Sequence, residues 1–178
     1  MSDQTLVQEI LEGSNRAFEL LVMRYQNPVA GFIWRIVPLA EDREEVCQDV
    51  FVKVYQNLAG FKSDSKFSTW LYSIAWRTAI SRVRKKSLDT LPLEISDHPS
   101  VVMEAGVERD QLAGVLATLI ARLAPEDRAA VTLYHMQGCS VEEIGEIMEK
   151  PAGTIKSILF RARKRLKDSI LLEHGEIF

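Results

Sequence analysis

The chain has 178 residues, 47% of them apolar and 26% charged, which is enough to bury one or two modest cores. A formal net charge of −3 and a pI near 5.7 exclude a protein that coats nucleic acid through a broadly positive field, so any such contact has to be local. Two distant cysteines, Cys47 and Cys139, and the scattered His98, His135 and His174 argue against a disulfide framework, a metal centre or catalysis, and no cofactor is expected.

From Leu6 onward the pattern is helical. Leu6, Val7, Ile10 and Leu11 form a short amphipathic start, Gly13-Ser14-Asn15 breaks it, and Phe18, Leu21, Val22 and Tyr25 resume the period. Pro28 falls early in a further stretch carrying Val29, Phe32, Ile33 and Ile36, which Pro38 ends. A new helix is predicted from Asp42, with Glu45 at the capping-box position and Val46, Val50, Val54 and Leu58 facing inward as far as Gly60. The next runs from about Ser68 to Lys86, with Leu71, Ile74, Ala75, Thr78 and Val83 inward and Arg82, Arg84, Lys85 and Lys86 as a basic end.

Between Ser87 and Val107 the periodicity disappears. Pro92 and Pro99 interrupt any helix, and Asp89, Glu94, Asp97 and Glu104 make the segment acidic, the composition of a flexible linker. Helical pattern returns from Glu108 through Leu112, Val115, Leu116, Leu119 and Leu123, and Pro125 begins another helix through Val131 and Tyr134. The expected fold is all-α: two helical domains, 1–86 and 108–178, joined by an acidic linker over 87–107.

The most informative unit runs from Ser140 to Leu166. Ser140 and Glu143 have the spacing of a capping box, and Val141, Ile144, Ile147 and Met148 line one side of the helix they start. Gly145 is small enough for close helix approach, and Pro151 forces a break at Lys150 and suits the first turn of a second helix. On that helix Ile155, Ile158, Leu159, Ala162 and Leu166 share an apolar sector, with Ile158 at its edge. Ser157, Phe160 and Lys164, flanked by Lys156, Arg161 and Arg163, occupy the opposite sector. This is the layout of a helix-turn-helix whose second helix presents cations and donors to a duplex groove.

The motifs Ala17-Phe-Glu-Leu-Leu-Val-Met-Arg-Tyr25, Asp42-Arg-Glu-Glu-Val-Cys-Gln-Asp-Val-Phe51, Phe67-Ser-Thr-Trp-Leu-Tyr-Ser-Ile-Ala75 and Leu123-Ala-Pro-Glu-Asp-Arg128 precede the helix-turn-helix with its Pro151-Ala-Gly-Thr-Ile-Lys-Ser157. In this order they resemble an extracytoplasmic-function (group 4) sigma factor of RNA polymerase. The resemblance implies that the first domain is sigma region 2, a helical bundle, and the second is sigma region 4. It implies docking on core RNA polymerase, through its beta and beta-prime subunits, with Glu45, Gln48 and Asp49 on the coiled-coil clamp of the largest subunit.

By the same resemblance, the loop from Phe61 to Trp70 captures an extruded base of the promoter's minus 10 element, and the following helix tracks the exposed strand. The loop has the chemistry for this, since aromatic faces stack on an unpaired base and cations hold phosphates. Phe61, Lys62, Ser65, Lys66, Phe67, Arg77 and Arg84 are the contact candidates, with Phe67 and Trp70 open to a core reading as well. Gly153, Thr154, Lys156, Ser157, Phe160, Arg161 and Lys164 are the candidates for the minus 35 element, with Phe160 placed to pack on a thymine methyl.

Two departures from the family pattern stand out. Arg77 and Ser81 replace a common Asn-x-x-x-Asp, and Ile158 replaces a frequent arginine, which at a sector edge would trim a phosphate contact. The resemblance further implies an anti-sigma partner. With neither a signal peptide nor an apolar run long enough for a bilayer, the expected location is the cytoplasm, or the inner membrane when that anti-sigma factor is membrane-bound, without stable membrane insertion. The rival reading is a conventional helix-turn-helix regulator acting without core polymerase, which leaves the Phe61–Trp70 loop idle.

Overall fold

The computed structural model describes residues 1–89 and 107–174, so the central part of the expected linker lies outside the described residues. Among these residues the chain forms eight α-helices and no strand: α1 (Asp3–Leu11), α2 (Asn15–Ile36), α3 (Ala40–Asn57), α4 (Phe67–Asp89), α5 (Val107–Ala121), α6 (Pro125–His135), α7 (Val141–Met148) and α8 (Ala152–His174). A single 3-10 turn, Leu58–Gly60, finishes α3.

Local chemistry sets most boundaries. Ser2 and Ser14 cap α1 and α2 by accepting from Thr5 N–H and Ala17 N–H. The further stretch around Pro28 is continuous with the one before it, and Pro28 lies inside a single α2. It cannot donate to the carbonyl four residues back, so burial must hold the helix together across that gap. Val29, Phe32 and Ile33, directly after it, have no exposed surface. Full burial of such side chains is worth about 1.5–3 kcal/mol each, enough together to offset one missing bond.

The start of α3 also differs from expectation. The helix begins at Ala40 behind Leu39, which makes no side-chain capping bond. Asp42 is therefore inside the first turn and buried, and Glu45 turns outward to another helix. The Val37-Pro38 carbonyls before α3 are satisfied by Arg43, whose Nε and Nη2 donate to them at 2.9 Å each.

The inward stripe of α3 is as the period requires: Val46, Val50, Val54 and Leu58 are all buried. In the second half, Leu119, Leu123, Ala129, Leu133, Ile144, Ile147, Ile155 and Leu159 form the corresponding centre. Leu116 is instead exposed on α5. The two halves do not stand apart. Helix α4 packs along α7 and α2 against α6, giving one connected apolar core.

Candidate nucleic-acid and docking surfaces

The helix-turn-helix forms as its local chemistry demands. Ser140 Oγ accepts from Glu143 N–H at 3.1 Å, and a Glu143 carboxylate oxygen accepts from Ser140 N–H at 2.7 Å, completing the capping box. Glu149 ends α7 in the left-handed region, φ 56°, which lets Lys150 N–H reach Gly145 C=O at 2.9 Å. The chain then doubles back so tightly that a Cβ on Gly145 would sit 2.8 Å from Lys150 O. The close approach is thus between α7 and its own turn.

On α8, Ile155, Ile158, Leu159 and Ala162 are buried, and Leu166 is half-buried. Ile158 is not at the edge of the sector: it is only 1% exposed, so it fills the core and has no path to a phosphate. All seven candidates on the other side, Gly153, Thr154, Lys156, Ser157, Phe160, Arg161 and Lys164, are exposed. Phe160 leaves 71% of its surface in solvent, an unusual position for a large ring without a partner. Buried Asp127 steadies the basic side by accepting from Arg165 at 2.9 Å, with Arg161 at 3.8 Å. Arg163 lies over the Tyr134 ring at 5.6 Å from its centre.

The loop between α3 and α4 is built around an aromatic cluster. Phe61 packs on Phe67 and Trp70 with ring centres 5.6 and 5.3 Å apart, and Phe67 meets Tyr25 at 5.5 Å. Phe67 is buried in this cluster and offers no face to a base; it is the candidate the geometry removes. Phe61 and Ser65 are half-buried, and Lys62, Lys66, Arg77 and Arg84 are exposed or nearly so. Ser63, at φ 59°, turns the loop through the left-handed region. Between α3 and α4 a cleft of about 470 Å³ is lined by Lys53, Asn57, Trp70, Arg77, Thr78 and Ser81, so the two positions that depart from the family pattern share one cleft with the half-buried Trp70.

The basic end of α4 is not a free patch. Arg82 meets Glu45 at 2.6 Å and Asp42 at 3.2 Å, and Lys86 meets Asp42 at 2.8 Å and Glu41 at 3.2 Å. The Arg82 hydrogen bond holds the Glu45 carboxyl below the usual carboxylate range. Two of the four expected cations are thus committed to α3. On α3 itself Gln48 is exposed, while Asp49 is half-buried and within electrostatic reach of Arg82, so Gln48 is the candidate left facing outward once Glu45 is engaged. Sequence reasoning missed these pairs because α3 and α4 meet only in the folded bundle.

Burial pushes the thiols of Cys47 and Cys139 up to about 11, which keeps both protonated at neutral pH. No cluster of three or more metal-ligating side chains occurs among the described residues.

The fold defines a class: an all-helical protein with a helix-turn-helix in its second half and two candidate nucleic-acid faces, one on that unit and one on an aromatic loop. Residues 21–88 match the family described as Sigma-70 region 2, and residues 113–166 match Sigma-70, region 4. The chain is 37% identical to the ECF RNA polymerase sigma-E factor of Escherichia coli, covering 96% of this chain and 95% of that one. It is 35% identical to the RNA polymerase sigma-H factor of Pseudomonas aeruginosa, over 94% and 93%. The fold is shared with CnrH, solved in complex with the cytosolic domain of CnrY, at 21% identity and a TM-score of 0.72, covering 96% of this chain and 98% of that one. It is shared likewise with the sigma factor RpoE in complex with the anti-sigma factor NepR from Bartonella quintana, at 21% identity, 88% and 98% coverage and a TM-score of 0.69. The chain belongs to the extracytoplasmic-function group of sigma-70-family RNA polymerase sigma factors.

Proposed function

We propose that residues 1–86 act as region 2 and residues 108–178 as region 4, each contributing a separate contact to promoter recognition by core RNA polymerase. The observation that carries the reading is the outward sector of α8, where seven candidate contacts are all exposed over a fully formed capping box and turn. Gly153, Thr154, Lys156, Ser157, Phe160, Arg161 and Lys164 read and grip the minus 35 element, with the Phe160 ring against a thymine methyl. Phe61, Lys62, Ser65, Lys66, Arg77 and Arg84 take the minus 10 strand once it opens. Phe67 is left out of this set because the aromatic cluster buries it.

Gln48 and Asp49, with Glu45 held in place by Arg82, form the dock for the polymerase clamp. The chain works by binding and positioning, and no catalytic step is assigned to it. An anti-sigma protein is the natural regulator, since the two solved neighbours are held in complexes, one of them with a protein described as an anti-sigma factor. No helix among the described residues is long and apolar enough to cross a membrane. The proposed site of action is the cytoplasm, with tethering at the inner membrane when the anti-sigma partner is membrane-bound.

Capture of the tagged protein from its own cells, followed by identification of what it holds, tests this reading. Polymerase subunits should be recovered with it. Recovery of operator DNA with no polymerase would instead favour a conventional helix-turn-helix regulator.

A further inference from the structure

Asp127 puts a carboxylate into the packed interface between α6 and α8. Its side chain is 6% exposed, whereas Arg161, one of its two partners on α8, keeps 57% of its own surface in solvent. A buried acid needs cations to offset its lost hydration, and an apolar side chain fills such a place more favourably, so stability alone is a weak reason for it. The first turn of α6 favours negative charge, but Glu126 beside it already supplies one without being buried.

The two carboxylate oxygens have different partners. Oδ2 accepts from Arg165 Nη1 at 2.9 Å, which fixes the direction of the group, and Oδ1 then faces Arg161 Nη2 at 3.8 Å. That separation is an ion pair, too long for a hydrogen bond, so Arg161 is drawn toward α6 without committing a donor to Asp127. Arg161 and Arg165 are four residues apart, on one flank of the Ile155, Leu159 and Ala162 stripe. Arg163 lies on the other flank, over the Tyr134 ring of α6. Helix α6 thus braces the arginines of α8 from both sides, and Arg161 alone among these three is also a minus 35 candidate.

We infer that, given the minus 35 role proposed for α8, Asp127 is a positioning residue for its readout: it touches no DNA and presets the Arg161 guanidinium for a base edge in the major groove. A long side chain ordered before binding loses less freedom when it binds. A planar fork held in one direction distinguishes bases, where a wandering cation grips the phosphates of any sequence. Without Asp127, Arg161 and Arg165 both become free cations, so selectivity falls while general attraction to DNA is kept or grows.

The test uses the full chain with core polymerase on a promoter fragment whose minus 35 block, located by footprinting, is randomised and sequenced before and after selection. Asp127→Asn and Asp127→Ala are compared with Arg161→Ala and with each Asp127 change made in the Arg161→Ala chain. A control, Glu142→Gln, removes a charge from an exposed position of α7. Base preference should fall about two- to tenfold at the position that Arg161→Ala also loses, and the Asp127 changes should add nothing once Arg161 is gone. Total retention of fragments should hold or rise in the Asp127 variants, and Glu142→Gln should keep the parent's preferences. A merely structural acid would instead lower retention of all fragments together with the thermal midpoint. That result, or an unchanged preference at the Arg161 position, would overturn the inference. If Arg161→Ala itself leaves every preference intact, readout through Arg161 fails first and the positioning role with it.

Discussion

Gly145 carries no special backbone angle, yet an added Cβ would meet Lys150 O at 2.8 Å, and neither the turn nor α7 can yield without moving the capping geometry. Gly145→Ala should therefore cost about 1–3 kcal/mol in urea unfolding. Gly153→Ala, with nothing within 4 Å of the new methyl, should be neutral or stabilising by up to about 1 kcal/mol. Two residues on α8 divide in the same way. Ile158→Ala should lose about 2–5 kcal/mol of stability, while Phe160→Ala should leave the unfolding midpoint unchanged and weaken minus 35 protection in footprints. A fall in stability for Phe160→Ala would mean that its exposed ring is packed after all. The sequence disclosed the capping box because Ser140 and Glu143 are three residues apart on one helix turn. It placed Ile158 at an edge because periodicity gives direction but not the depth of the neighbours, and α8 is packed against both α6 and α7.

At the scale of elements, the long-range pairs are where sequence reading stops. The inward stripes of α3 and α8 follow from the helical period, whereas Arg82 and Lys86 look like free cations until α4 lies beside α3. Arg82→Ala removes one of two cations from buried Asp42 and should destabilise the first half by about 1–3 kcal/mol. Lys85→Ala, at an exposed position, should stay within about 0.5 kcal/mol. Asp49→Arg should weaken competition for core polymerase with no loss of helix content, because Asp49 is half-buried and outside the Val46, Val50 and Val54 stripe of α3. Competition equal to the parent's would place the dock on another surface. The α4–α7 contact has a pH signature. Glu143 is held below the ordinary carboxylate range, chiefly by its hydrogen bond with Lys66 and then by Ser140 N–H, so its contribution is complete above that range and is lost as pH falls through the depressed value. The stability difference between the parent and Glu143→Gln should accordingly shrink on acidification, as read by unfolding at a series of pH values. Lys66 stays charged throughout, its own value being raised by the same pairing.

Across the whole molecule, a net charge of −3 leaves local basic faces, on α8 and around the loop before α4, as the proposed contacts with DNA. The isolated protein should bind duplex promoter DNA weakly and with strong salt dependence, because its contacts are made to phosphates by a few local cations. The expectation of two helical domains was legible from periodicity and the acidic break at 87–107. Their packing was not, because it depends on Tyr72 meeting Gln137, and Arg128 meeting Arg35, across a chain separation that no local pattern encodes. As a sigma factor, this chain directs core polymerase to promoters, and the opening of the duplex there is the step assigned to the loop before α4. Its most direct test is permanganate reactivity of thymines on genomic promoter fragments incubated with core polymerase and the protein, compared with Phe61→Ala/Lys66→Ala. A discrete reactive bubble is expected with the parent, its loss with the double variant on duplex DNA, and substantial rescue on a pre-melted template, where the cost of unpairing has already been met. A bubble that forms equally with the double variant, or no bubble with the parent, would contradict it.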